Sequence, residues 1–310
     1  MDETKKTVTW EHAIYLFEEY LKLQRGLSDN SIKAYLSDLQ KLRTFLDIMG
    51  YECGPDGVTH KMMTECLSFF SVNGVGDRTQ VRVLSGIKSF FKCLMIEEIV
   101  EKDPTALLEM PKVRRKLPDV LSVEEINSMV MSIDVSSAEG VRNRAILETL
   151  YCCGLRVTEL CSIRISNMFF ESGYIRIEGK GSKERLIPIS SVAIKSIHEY
   201  MAVMRNNLSI KSDCEDYLFL NRRGSKLSRV MVFNIVKEAA ERAGIKKSVS
   251  PHTFRHSFAS HLLEGGANLK AVQDMLGHES IVTTEIYTHL DTSHLKETLE
   301  KCHPRSKPLK

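Results

Sequence analysis

Apolar positions recur at helical spacing through the first third of the chain. Trp10, Ile14, Phe17 and Leu21 step along one face behind Thr9, a residue type that caps helix N-termini. Ile32, Tyr35, Leu36, Leu39, Leu42, Phe45 and Leu46 do the same after Ser28 or Ser31. A further amphipathic helix is predicted from about Asp77 to Ile96, with Val83, Leu84, Ile87, Phe90, Phe91 and Leu94 on its apolar side. Its other side gathers Arg78, Arg82, Ser85, Lys88, Ser89 and Lys92, with no acidic residue among them. Ser122 with Glu125 three residues on matches a capping box, and residues 141–152 predict a helix that stops at Gly154. The period then shortens to two. Tyr174-Ile-Arg-Ile and Arg185-Leu-Ile-Pro-Ile read as strands, and the glycines of Glu178-Gly-Lys-Gly-Ser-Lys-Glu184 suit a hairpin turn between them. Helical spacing resumes at Ser190 and runs to the end, with no internal repeat and no low-complexity tract.

A chain of 310 residues has the length of two domains. The segment Glu109-Met-Pro-Lys-Val-Arg-Arg-Lys-Leu-Pro118 combines two prolines with four cations, a composition suited to an extended linker lying along phosphates. The boundary is placed there: a helical domain over 1–108, a basic linker over 109–118 and a mostly helical domain with a small antiparallel sheet over 119–310. Composition is that of a globular protein, 43% hydrophobic and 27% charged, and no apolar run reaches the length that crosses a bilayer. The polar start, with Asp2 and Glu3, lacks the features of a secretory signal, so a cytoplasmic location without membrane insertion is expected. Eight cysteines without a C-x-x-C pair read as reduced, mostly buried thiols rather than a zinc site or a disulfide framework. A net charge of +3 is a weak argument for a nucleic-acid partner, and the basic helix face alone reads equally as a solvated surface. Its neighbour, the basic linker, tilts the balance towards phosphate contact.

Four segments of the second half concentrate reactive side chains. In Cys153-Gly-Leu-Arg-Val-Thr-Glu-Leu160, Arg156 sits at a helix start, where the dipole disfavours a cation. Beside free backbone N–H groups its guanidinium makes a phosphate clamp; the alternative is a pair with Glu159. Lys180 lies in the hairpin turn between Gly179 and Gly181, either close to a ligand or simply solvated. Ser250-Pro-His-Thr-Phe-Arg-His-Ser-Phe-Ala-Ser-His261 places His252 and Arg255 one turn apart on one face, with Phe254 and Phe258 on another. A zinc site of His252, His256 and His261 is the rival, and it lacks the glutamate of H-E-x-x-H and any nearby thiolate. In Leu276-Gly-His-Glu-Ser-Ile-Val-Thr-Thr-Glu-Ile-Tyr-Thr-His-Leu290, His278 follows a glycine and Tyr287 lies further on. Two arginines, a lysine, two histidines and a tyrosine form a complete set for phosphoryl transfer without a metal or other cofactor.

Those segments resemble the tyrosine recombinases, the phage integrase superfamily, and most closely its Xer branch. The likeness also takes in Leu27-Ser-Asp-Asn-Ser-Ile-Lys-Ala-Tyr35-Leu-Ser-Asp-Leu39 and the closing His303-Pro-Arg305. By position, the resemblance implies Arg156, Lys180, His252, Arg255, His278 and the nucleophile Tyr287 as catalytic residues. It implies a SAM-like, all-helical core-binding domain and a catalytic domain that together clamp a duplex recombination site. It further implies a 3′-phosphotyrosine intermediate and four protomers around two DNA sites, with the segment from Ser293 to Cys302 docking on a neighbouring protomer through Leu295 and Leu299. The housekeeping role of the branch is resolution of chromosome dimers at cell division, with a second related recombinase and a septal DNA translocase as partners. A mobile-element integrase and a DNA-binding protein without catalysis are the alternatives. Departures are small: Phe254 stands where leucine is frequent, Thr158 where serine is, and Cys152-Cys153 where small residues are usual. Thiols so near Arg156 imply sensitivity to oxidation.

Overall fold

The computed structural model describes residues 8–111, 119–179, 184–277 and 289–306, the last stretch with side chains from 294 onward. The basic linker beyond Pro111, Lys180, His278 and Tyr287 therefore lie outside the described residues. The chain divides into two compact units, Met1–Lys116 and Leu117–Lys310. No helix among the described residues is long and apolar enough to cross a membrane.

In the first unit, Thr9 accepts a hydrogen bond from His12 N at 3.3 Å and opens α1 (Trp10–Glu19), which continues into a π-turn at Tyr20–Gln24. Ser28 stands at the cap of α2 (Asp29–Ile48), where its hydroxyl meets that of Ser31 at 3.1 Å instead of a backbone N–H. The chain then forms α3 (His60–Val72), capped by Thr59, and α4 (Asp77–Ile96). Each helix turns its apolar side to one core, in which Phe17, Leu39, Phe45, Leu84, Phe90 and Phe91 are fully buried. Phe17 meets Phe90 edge-on at 5.4 Å, and Trp10 stacks on Phe90 at 6.0 Å.

Arg78, Arg82, Ser85 and Lys92 on α4 are exposed, as their side of the pattern requires. The absence of acids on that face holds for the helix itself but not for its surroundings. Asp38 of α2, only 2% exposed, takes Arg82 Nη1 at 2.7 Å and Lys41 Nζ at 3.0 Å. Gly86 makes room for it, since a Cβ at that position would lie 3.1 Å from the Asp38 Cβ.

In the second unit, the capping box of α5 (Val123–Met131) is closed in both directions: Glu125 N donates to Ser122 Oγ at 3.2 Å, and Ser122 N to Glu125 Oε2 at 2.7 Å. Ser137 starts α6 (Ala138–Cys153) somewhat earlier than the sequence pattern indicates. This helix is buried on all sides, from Ala145 and Ile146 to Cys152 and Cys153, and packs against α5, α8, α9 and α10. Gly154 ends it in the left-handed region, with φ 57°. A short α7 (Val157–Cys161) leads into an antiparallel sheet of β1 (Met168–Phe169), β2 (Tyr174–Glu178) and β3 (Glu184–Pro188), in that order. The hairpin pairs Tyr174 with Pro188 and Glu178 with Glu184.

Four of the remaining helices are α8 (Ser191–Val203), α9 (Arg229–Arg242), α10 (Pro251–Glu264) and α11 (Leu269–Leu276), and the last is α12 (His289–Cys302). Helical spacing is not continuous from Ser190 onward, as the pattern suggests. Residues 208–228 are irregular, pinned by the bridges Arg164↔Tyr217 and Leu220↔Lys226 and by buried Arg205, which donates to the carbonyls of Glu215 and Tyr217. The fold class is thus the expected one: mainly α, all-helical in the first unit, with a small antiparallel sheet in the second.

The end of the chain folds back on its own unit. Leu295 and Leu299 of α12 are buried with Phe258, Leu262, Val272 and Met275, so the leucines expected to reach a neighbouring protomer pack in cis. After α12, Arg305 Nε meets Glu148 Oε2 of α6 at 2.8 Å, with both side chains 3% exposed, and a second nitrogen donates to Asn127. His303 packs on Tyr151 at 4.7 Å between ring centroids; burial holds it down to about 3, so it is neutral at ordinary pH.

Candidate active site

The site begins where α6 ends. Gly154 lets the chain reverse, and Arg156 falls at the N-cap of α7, its own N–H donating to Glu159 Oε2 at 2.8 Å. Both sequence readings of Arg156 meet here. Its Nη1 pairs with Glu159 Oε1 at 2.8 Å, while the side chain stays 43% exposed and keeps a face open to a ligand. The cost of a cation at a helix start is avoided because the guanidinium leaves α7. It reaches the C-terminal end of α11, donating to Leu276 O at 3.4 Å and Gly277 O at 3.2 Å, where the dipole favours positive charge.

Arg255 arrives at the same place from α10. Its Nη1 donates to Gly154 O at 2.8 Å and its Nη2 to Leu276 O at 2.6 Å, and Nη1 lies 3.9 Å from Glu159 Oε2. Burial and then the charge of Arg156 bring Arg255 down to about 10, still fully protonated at neutral pH. The one-turn spacing of His252 and Arg255 therefore does not put both on the surface. Arg255 turns inward with Phe254 and Phe258, and His252 stays exposed.

The organising group is Glu159, 4% exposed. Arg185 of β3 grips it with both terminal nitrogens at 2.9 Å and donates from Nε to Met275 O at 3.2 Å. Burial pushes the Glu159 carboxyl up, but the bonds from Arg185 and Arg156 outweigh it and hold it below the usual carboxylate range. Three guanidiniums around one carboxylate leave a net positive pocket, the electrostatic setting an anion requires. Arg185 went unnoticed in the sequence as more than a strand residue. Its signal was a cation in an otherwise inward-facing apolar strand.

The exposed face of Arg156 opens into a cleft of about 410 Å³, also lined by Arg164, Arg176, Tyr217, Glu178 and Gly179. Arg164 lies over the Tyr217 ring at 5.1 Å, and Arg176 donates twice to Asn167 Oδ1, at 2.8 and 3.1 Å. Gly179 at the edge of this cleft immediately precedes Lys180 in the chain, and Gly277, whose carbonyl meets Arg156, immediately precedes His278. The structure thus brings Arg156 and Arg255 together, and it places His252 within the field of both. Burial, His256, Arg255 and Arg156, in that order, hold the His252 imidazole below its ordinary range, so it is largely neutral at pH 7.

His261, the third histidine of the zinc site weighed as a rival, is buried and hydrogen-bonded to Tyr151 Oη at 2.8 Å. One sequence expectation changes. Cys152 and Cys153 are fully buried, which raises Cys152 to about 12 and Cys153 well above its ordinary value. Both thiols are therefore protonated and shielded, so the expected sensitivity to oxidation has no chemical basis at these positions.

The second unit thus converges its sheet, α7, α10 and α11 on a pair of arginines, and the first unit is all-helical. The phage integrase family model matches residues 119–294, and the model of the phage integrase N-terminal SAM-like domain matches residues 14–98. The chain belongs to the phage integrase family and is a tyrosine recombinase. It is 40% identical over 294 residues to tyrosine recombinase XerD of Staphylococcus saprophyticus, covering 94% of this chain and 99% of that one. XerH site-specific recombinase, solved bound to palindromic difH substrate in a post-cleavage complex, shares 26% identity with a TM-score of 0.67, covering 93% of this chain and 84% of that one. A lambda integrase tetramer bound to a Holliday junction shares the fold at a TM-score of 0.71 and 18% identity, over 92% of this chain and 82% of that one.

Proposed function

We propose that this recombinase cuts and rejoins DNA through a 3′-phosphotyrosine intermediate, with Tyr287 as nucleophile. The observation that carries the reading is the pairing of Arg156 and Arg255 on one buried carboxylate and on the carbonyls of Leu276, Gly277 and Gly154. Two guanidiniums pre-set in this way hold the non-bridging oxygens of a scissile phosphate and stabilise the added charge of its five-coordinate transition state. Such donors are worth about 3–4 kcal/mol each. Tyrosine titrates near ~10, so attack at neutral pH needs a base, and neutral His252 serves as acid–base partner. Lys180 protonates the departing 5′ oxygen and His278 donates to the phosphate. The phosphotyrosine conserves the energy of the phosphodiester, so this scheme requires neither ATP nor a metal.

The biological reading follows from the full-length likeness to XerD relatives. The chain resolves chromosome dimers for segregation at cell division, acting in the cytoplasm on a duplex recombination site. It works within a tetrameric synaptic complex, alongside a second related recombinase and under a septal DNA translocase. The test of the chemistry is trapping: a nicked duplex carrying the candidate site is incubated with protein in chelator and resolved on a denaturing gel. A protein–DNA adduct is expected with wild type and none with Tyr287→Phe. An adduct that persists in the mutant moves the nucleophile elsewhere.

A further inference from the structure

The second histidine of the Pro-His-Thr-Phe-Arg-His motif has no part in the scheme above, yet it is placed against one that does. His252 and His256 lie one turn apart on α10, with their Nε2 atoms 3.1 Å apart, ring centroids at 4.4 Å and ring planes at 73°. Two imidazole nitrogens bond at that distance only when one carries a hydrogen and the other a lone pair. The pair therefore tolerates a single extra proton, because two imidazolium rings would set N–H against N–H. With Nε2 of His252 engaged, Nδ1 is the nitrogen left to meet a reacting oxygen. The remaining histidine of the motif, His261, is committed to Tyr151, so His256 alone among them attends His252.

We propose that His256 is a positioning residue for His252: it fixes the imidazole through the Nε2···Nε2 hydrogen bond and shares the positive charge that His252 acquires during strand cleavage. This rests on the reading of His252 as acid–base partner to the tyrosine. In that step the phenolic O–H breaks and its proton passes to His252 Nδ1 as the tyrosine oxygen bonds to phosphorus. The bond from phosphorus to the 5′ oxygen breaks, and that oxygen leaves with a proton from Lys180. His252, now an imidazolium, donates from Nε2 to His256, and a neutral hydrogen bond becomes a charge-assisted one at the moment charge appears. Religation runs the same transfers backwards.

The groups acting on His252 are His256 and Arg255 from α10 and Arg156 from the turn ahead of α7.

The experiment is single-turnover cleavage of a nicked duplex across pH with wild type, His256→Ala, His256→Gln, His252→Ala and the double alanine variant, with site binding followed by gel shift. His256→Ala should bind normally and cleave about 10- to 100-fold more slowly, as expected for losing a hydrogen bond to a charged group. His256→Gln, whose amide oxygen accepts the same N–H, should recover most of the rate, and the double variant should be no slower than His252→Ala. A wild-type rate in His256→Ala would overturn the proposal while leaving the role of His252 standing. Equal slowing in both His256 variants would overturn it too, as a packing effect. Undiminished cleavage by His252→Ala would instead remove the base reading on which it rests.

Discussion

Gly154 satisfies two demands that no side chain meets together. Its φ of 57° lies in the left-handed region, and a Cβ there would stand 2.4 Å from Phe258 Cδ1. Its carbonyl also receives Arg255 Nη1 at 2.8 Å, so backbone conformation, packing and the arginine pair depend on one residue. Gly154→Ala should destabilise the second unit by about 2–4 kcal/mol, from left-handed strain plus overpacking, measured as a lowered urea midpoint. Cleavage should fall further than site binding. The sequence disclosed Gly154 as a helix stop, because glycine has a recognisable role there. It did not disclose Phe258 above it, since that contact depends on chain distant in sequence. Glu159 was legible only as a partner for Arg156. Its grip by Arg185, across from another element, was beyond the reach of spacing.

At the scale of elements, legibility followed how one-sided each helix is. The bounds of α4 agree with its pattern because one face is apolar and the other cationic. By contrast, α6 is buried all round and carries little periodic signal, so its start was placed late. The two-residue β1 pairs only Met168 with Ile175 and Phe169 with Tyr174, too little for any alternation to register. The tail is a further case, its closing His-Pro-Arg visible as a likeness while its burial was not. Arg305 and Glu148 lie in the interior with Asn127, and a charge left there without its partner is strongly unfavourable. Arg305→Ala should lower stability by about 3–5 kcal/mol in chemical denaturation. Replacing Glu148 and Arg305 together with apolar residues should lose much less than the two single losses combined.

For the whole molecule, a net charge of +3 understates what the surface offers, because the cations are arranged and partly spoken for. On α4, Arg82 is held by Asp38 at 2.7 Å, whereas Arg78 and Lys92 are simply exposed. If that face follows a DNA backbone, Arg78→Ala and Lys92→Ala should each reduce the slope of log affinity against log salt by about 1. Arg82→Ala should reduce it less, since its charge is already shared; fluorescence anisotropy over a salt series reads both. An equal change for all three would mean that Asp38 releases Arg82 to the DNA.

The cis packing of α12 has a consequence for the tyrosine that precedes it in the sequence. Tyr287 stands two residues ahead of His289, where α12 begins, so a fully stretched backbone separates them by no more than about 7 Å. That helix rests on α10, α11 and β3, the elements that carry Arg255, the Leu276 carbonyl and Arg185, and Lys296 ties it further to Ser172 O at 3.0 Å. The helix that follows this tyrosine in the sequence is thus anchored beside the arginine pair of its own chain.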